Sequence, residues 1–165
     1  MELPPKDERW RDAPLAYEAC SVDTKGRLKF ATEIQRWLEK LDEKLFVTTW
    51  DGISFQVYTR KGFATQLEFL ENRALVPETK AAAERQMRLG RHFGAEVNLD
   101  SDGRITLPQP LRQKLGIEKQ NAAFMVGVNR DHFDGIPTER FMATIDADSA
   151  TMAEDAETMQ SQGRR

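Results

Sequence analysis

The sequence predicts an α+β fold of two pseudo-symmetric halves, with helices at the periphery and between the halves. Two observations carry that prediction. The segment SVDTKGRLKFATEIQRWL, beginning at Ser21, returns as NLDSDGRITLPQPLRQKL at Asn98, an offset of 77 residues. Within each copy, alternating apolar and polar residues give way to apolar residues at helical spacing.

The turn comes first in each copy. Asp23, Gly26 and Arg27 fall on Asp100, Gly103 and Arg104. An aspartate that opens a tight turn can accept hydrogen bonds from backbone donors a few residues on, and glycine supplies the positive φ of strand re-entry. Both segments therefore read as β-hairpin turns, with Asp23, Gly26, Asp100 and Gly103 as the turn formers. Beyond the turn Leu28 and Phe30 point to one face of a strand, Arg27 and Lys29 to the other; Ile105 and Leu107, then Arg104 and Thr106, repeat this.

A helix follows each strand. In the first copy Thr32 and Gln35 have capping-box spacing, and Ile34, Trp37, Leu38 and Leu41 form one apolar stripe. In the second, Pro110 suits the first helical turn, Leu111 and Leu115 lie a turn apart, and Gly116 is placed to end the helix. Extended patterns return at Leu45 to Thr49 and Ile53 to Tyr58, around an Asp51 to Gly52 turn, and at Ala122 to Val128 with a shorter return strand. Each half thus reads strand, turn, strand, helix, hairpin. Phe63, Leu67 and Leu70 mark one linking helix and Glu78 to His92 another, separated at Pro77.

These patterns divide the chain into four segments. Residues 1–12 are expected to be flexible, 13–76 and 77–146 to be the two repeats, and 147–165 to be an acidic, disordered tail with few large apolar residues. The 165 residues carry 24 Lys and Arg against 27 Asp and Glu, a formal charge of -3. Five acids and two bases from Asp146 onward account for it, so the body is neutral and can still carry a local basic face. A single cysteine, Cys20, leaves no internal disulfide framework and points to a reducing cytoplasm. No stretch approaches the ~20 apolar residues of a membrane span.

The segments VDTKGRL and LDSDGRI resemble the duplicated signature of the MraZ family, whose halves are related to the AbrB-type swapped-hairpin DNA-binding fold. The second half fits more closely, through Asp100, Gly103, Arg104, Pro108, Leu111, Arg112 and the Leu115 to Ile117 helix end. The resemblance implies two AbrB-like swapped-hairpin β-barrel halves. It further implies a cytoplasmic, nucleoid-associated regulator, often a repressor of the division and cell-wall gene cluster, that forms ring-like homo-oligomers and binds repeated promoter boxes in double-stranded DNA. The chain departs from the family at Ala31 and Gln35, where a proline and an arginine are usual, and at Asp102, which adds an acid beside Gly103. The first loop is accordingly the better DNA candidate.

The DNA-binding set is then Lys25, Arg27 and Lys29 from the first repeat, with Arg104 and Arg112 from the second. An arginine at a hairpin tip can bridge two acceptors on phosphate or a base edge. For Arg104 the competing expectation is a pairing with Asp100 or another acid that only fixes the turn. A charged strand surface, or a scaffold of the same fold that has lost or narrowed DNA binding, is the rival for the whole set. Arg85, Arg88, Arg91 and His92 read as a solvated helix face.

Catalysis is not expected. The sequence has two histidines, His92 and His132, neither at a recognised metal-ligand spacing, and no local nucleophile-base motif or phosphate-cradling glycine loop. No metal, cofactor or small-molecule ligand is implied. A cleft gathering His132 with carboxylates would reopen the question.

Overall fold

The computed structural model describes residues 7–163. After a 3₁₀ turn at Glu8–Asp12 the first repeat supplies β1 (Glu18–Val22), β2 (Arg27–Lys29), α1 (Thr32–Leu41), β3 (Leu45–Thr48) and β4 (Phe55–Thr59). Two linking helices follow, α2 (Arg60–Arg73) and α3 (Lys80–Phe93). The second repeat supplies β5 (Ala95–Val97), β6 (Arg104–Thr106), α4 (Gln109–Leu115), β7 (Ala122–Asn129) and β8 (His132–Pro137). The chain then continues into α5 (Thr138–Ser149) and α6 (Met152–Gly163).

The repeat extends further than the two quoted segments. Glu18 and Ala95, Arg27 and Arg104, Leu45 and Ala122, and Phe55 and His132 each begin a strand at the same 77-residue offset.

All eight strands form one antiparallel sheet in the order β5-β3-β4-β8-β7-β1-β2-β6. Its two outer strands, β5 and β6, are joined by the second hairpin turn, so the sheet is a nearly closed barrel. Exchanging the halves, β1 for β5 through β4 for β8, reproduces the same cyclic order. The halves are interleaved: β1 pairs with β7, β3 with β5, β2 with β6 and β4 with β8. This is the α+β, two-half swapped-hairpin arrangement that the repeat and the resemblance predict.

The period-two alternation sets the barrel interior. Val22, Leu28, Phe30, Leu45, Val47, Phe55, Val57, Ile105, Leu107, Phe124, Val126 and Phe133 are buried, joined by Ile34 and Leu38 from α1 and Leu111 from α4. Burying each such side chain is worth about 1.5–3 kcal/mol relative to leaving it exposed. Cys20 lies in the same core, and burial pushes its thiol up to about 12, so it is a small apolar filler and a poor nucleophile.

Three expectations are corrected. The first concerns residues 1–12, expected to be flexible: the first six lie outside the described residues, but Asp7 caps the 3₁₀ turn through Arg9 N–H, and Trp10 is 3% exposed against Trp37 and Phe133. A tryptophan buried between two rings outweighs the polar sequence around it.

The second concerns the tail from Ala147, expected to be disordered: its described part is helical, as the end of α5 and then α6. The side chains of α6 are exposed, so it has no core to join. Ala, Met, Glu and Gln are nevertheless strong helix formers, and a helix satisfies its backbone internally. Thr151 adds a local start, its carbonyl accepting from Asp155 N–H at 3.0 Å and its hydroxyl donating to the Asp155 carboxylate at 3.1 Å.

The third is the capping box on α1, which does not form. Ala31 takes the cap position, and the Gln35 side chain turns along the helix to donate to Glu39 Oε1 at 2.9 Å. No helix among the described residues is long and apolar enough to cross a membrane.

Candidate nucleic-acid interface

The two hairpin turns fold alike because each opens on an aspartate and closes on a glycine. Asp23 N–H donates to Arg27 O at 3.0 Å, and Gly26 N–H donates to Asp23 O at 2.9 Å. The Asp23 carboxylate accepts from the Lys25 and Arg27 backbone N–H groups, both at 2.9 Å. In the second turn Asp100 makes the matching bonds with Asp102, Gly103 and Arg104 at 2.8–3.0 Å. Gly26 has φ +80° and Gly103 φ +74°, a region that L side chains enter only at a cost. The Arg27 backbone N–H beside Asp23, and the Arg104 backbone N–H beside Asp100, hold both carboxyls below the usual range.

Each turn also holds its arginine. Arg27 Nε donates to Asp23 Oδ2 at 2.7 Å, which uses one of the five N–H donors of a guanidinium. Arg104 is gripped from two sides, by Asp100 Oδ2 at 3.3 Å and, through Nη2, by Asp102 Oδ2 at 3.0 Å. The turn-fixing alternative for Arg104 is therefore what its contacts show.

The strand pair joins the two turns. In the β2–β6 register Leu28 faces Ile105 inward, while Lys29 lies opposite Arg104 and Arg27 opposite Thr106 on the outer face. Like charges directly opposite each other destabilise a ladder, so Lys29 and Arg104 form a basic step that the fold tolerates at a cost.

Arg112 lies at the first loop, although it belongs to the second repeat. A Cβ on Gly26 would collide with Arg112 Cδ and lie 2.6 Å from its Nε. Leu107 N–H, on the segment that leads into α4, donates to Gly26 O at 2.7 Å and ties that segment to the turn. The Arg112 Nε is buried and has no hydrogen-bond partner among the described residues. By the same pseudo-symmetry the second loop is covered from the first repeat, where a Cβ on Gly103 would fall on the Gln35 amide. Sequence reasoning found Arg112 by resemblance but could not show which loop it reaches, because the strand exchange that carries it there is non-local.

The surroundings of the two loops differ in charge. Beside the second loop Glu39, Asp42, Glu43, Lys44 and Asp100 line a cleft of about 450 Å³. Glu43 there is paired with Arg9. At the 77-residue offset, Glu39, Asp42 and Glu43 become Gly116, Lys119 and Gln120. At the first loop Lys25 is exposed and Arg27 and Arg112 are half-buried, while Lys29, also exposed, lies further along β2 opposite Arg104.

Substitution at Gly26 probes this seating. Gly26→Ala is expected to destabilise the protein by more than Gly116→Ala. Both positions have positive φ, costing about 1–2 kcal/mol, but only at Gly26 must a neighbour, Arg112, move aside, since nothing lies within 4 Å of a Cβ on Gly116. Urea unfolding of the two variants makes the comparison; equal losses would show that Arg112 does not press on the turn.

The structure also gathers His132 with carboxylates. Its Nε2 lies 3.0 Å from Asp134 Oδ1 and its Nδ1 3.6 Å from Asp131 Oδ1, the latter an ion-pair distance too long for a hydrogen bond. The ring stacks on Tyr58 with centroids 4.6 Å apart, in a cleft of about 400 Å³ shared with Trp50, Phe69 and Arg130. Burial pulls the imidazole pKa down, but Asp131 and Asp134 outweigh it and hold it above the usual 6.5. Burial likewise raises Asp134, yet the bond to His132 leaves it lowered. Both ring nitrogens face carboxylates, which is the setting of a paired imidazolium. A general base instead needs one nitrogen directed at a nucleophile.

The pairing fixes a pH dependence. A raised His pKa contributes stability that is fully present below about 6.5 and is lost as pH rises through the folded value. The lowered Asp134 contributes above about 3.8 and fails as pH falls. Thermal unfolding should therefore show wild type losing stability from about pH 6 to 8 relative to His132→Gln. Parallel curves for the two would refute the charge pair.

Fold and site together define a duplicated swapped-hairpin α+β protein that carries basic residues around one of its two equivalent loops. The chain belongs to the MraZ family. It is 30% identical over 139 residues to the "Transcriptional regulator MraZ" of Tolumonas auensis, a match covering 82% of this chain and 87% of that relative. The protein of the same name from Legionella pneumophila is 35% identical over 104 residues, 61% of this chain and 66% of the relative. That of Acidobacterium capsulatum is 31% identical over 94 residues, 56% of this chain, and the match spans 62% of the relative's length. The family model described as "MraZ protein, putative antitoxin-like" matches residues 94–162, the second repeat together with α5 and α6.

Proposed function

We propose that the chain is a sequence-specific DNA-binding transcriptional regulator that acts as a repressor. Of the five expected residues, Lys25, Arg27, Lys29 and Arg112 form its DNA-facing set, while Arg104, held by Asp100 and Asp102, fixes the second loop; Asp23, Gly26, Asp100 and Gly103 shape the two turns. The observation that supports this reading most directly is the meeting of Arg112 with the Lys25–Lys29 hairpin, which gathers charge from both repeats at one exposed turn.

A few lysine and arginine contacts to phosphate bind weakly. A ring-like homo-oligomer that presents several loops to adjacent promoter boxes would raise the affinity by roughly 10² to 10⁴. Binding over its own promoter, or over a division and cell-wall gene cluster, would exclude polymerase. A regulator of this kind works in the cytoplasm on the nucleoid and needs no cofactor.

The acids beside the second loop favour a second reading, in which the same scaffold engages a protein partner. Fluorescence anisotropy with the chain's own upstream promoter duplex, over a salt series and beside Arg27→Ala, separates the two. For DNA binding, log K should fall against log salt with a slope of about -0.9 per neutralised phosphate, and Arg27→Ala should weaken binding and flatten the slope. Wild-type protein that fails to bind at low salt would leave the partner scaffold as the better account.

A further inference from the structure

We propose that each chain carries one phosphate-contacting unit rather than two, assembled across the repeats from Lys25 and Arg27 of the first and Arg112 of the second, with Lys29 on the strand between the two loops. The second loop is a closed structural turn. This deepens the DNA-binding reading and rests on it.

The folds of the two loops do not distinguish them. Both have the same turn bonds, and both have a side chain from the opposite repeat lying on the glycine. Four substitutions within the repeat do distinguish them. At the tip, Lys25 of the first loop corresponds to Asp102 of the second. On the covering helix, Arg112 over the first loop corresponds to Gln35 over the second. Next to the loops, Glu39 and Asp42 beside the second correspond to Gly116 and Lys119.

Each change removes positive charge from the second loop or adds negative charge to it. A polyanion approaching the second loop meets Asp100, Asp102, Glu39 and Asp42, with Arg104 already occupied by two of those carboxylates. Among the described residues, Asp23 at the first loop holds Arg27 through Nε, and the buried Nε of Arg112 has no acceptor. An unpaired buried donor on a guanidinium is costly. An arriving phosphate that takes the outer Nη edge supplies counter-charge to the guanidinium without displacing a carboxylate of the described residues.

Equilibrium binding of the full chain to its upstream promoter duplex, in a salt series, tests the division. Arg112→Gln, which copies the second loop's residue into the first, is expected to lower affinity by at least about tenfold and to reduce the magnitude of the salt slope by about 0.9. Arg104→Gln should stay within about threefold of wild type with its slope unchanged. Lys25→Gln, at an exposed tip where folding is not at stake, guards against an unfolded Arg112 variant and should reduce the slope by about the same 0.9.

If Arg104→Gln loses as much affinity and slope as Arg112→Gln or Lys25→Gln, both loops bind and the inference is overturned while the regulator reading stands. An Arg112→Gln variant that folds and binds like wild type overturns it as well. Wild type that does not bind at low salt removes the regulator reading, and this division of labour with it.

Discussion

Trp10→Ala is expected to lower stability by about 3–5 kcal/mol, the range for truncating a fully buried large aromatic. The indole is 3% exposed, with its centroid 4.5 Å from Trp37 on α1 and 5.2 Å from Phe133 on β8. Truncation would leave a cavity between the first repeat's helix and the second repeat's strand, where rigid barrel strands limit collapse. At about 2–4 °C per kcal/mol for a chain of this size, Tm should fall by roughly 6–20 °C. The measurement is thermal unfolding at one fixed protein concentration, because self-association would shift Tm by mass action. A loss below about 0.5 kcal/mol, typical of an exposed site, would mean that the N-terminal segment is detached in solution.

Gly135→Ala should be nearly as damaging, for the opposite reason. Gly135 is paired with Phe55 across β4 and β8, and a Cβ there would fall inside the Phe55 ring. The ring is fully buried and packs at 5.0 Å against Phe124, so it cannot swing away without disturbing a second ring. Overpacking of this kind costs about 1–3 kcal/mol, and the upper end is expected here. A double-mutant cycle checks the cause. In a Phe55→Leu background the smaller side chain makes room, so the penalty of Gly135→Ala should shrink by about 1 kcal/mol or more. Additive losses would assign the damage to the backbone instead.

Much of the fold was legible because its signals are local. The aspartate-to-glycine turns, the alternation through Leu28 and Phe30 or Ile105 and Leu107, and the helix end at Gly116 depend on residues within one element, and each appears where its pattern predicts. Gly116 ends α4 at φ +70° as a left-handed cap. Local readings failed where a longer-range contact or a general propensity prevailed. Trp10 stands among polar residues that say nothing of Trp37 or Phe133. Thr32 and Gln35 have the spacing of a capping box, but the Gln35 side chain lies on Gly103 and bonds Glu39. The tail from Met152 lacks an apolar stripe, yet helix propensity alone describes what it does.

The candidate site divides along the same line. By itself the sequence determined two equivalent turns, the basic outer face of β2, the acid at Asp102 and the loss of charge at Gln35. Only the tertiary structure decided that Arg112 serves the first loop and Gln35 the second, and that His132, a chain neighbour of Asp131 and Asp134, stacks on Tyr58. The reason is that a hairpin closes within a few residues, so its own side chains specify it. The exchange of strands between repeats instead brings together residues far apart in the chain, Arg112 with Gly26 and Gln35 with Gly103, and only the packing of the closed barrel selects those partners.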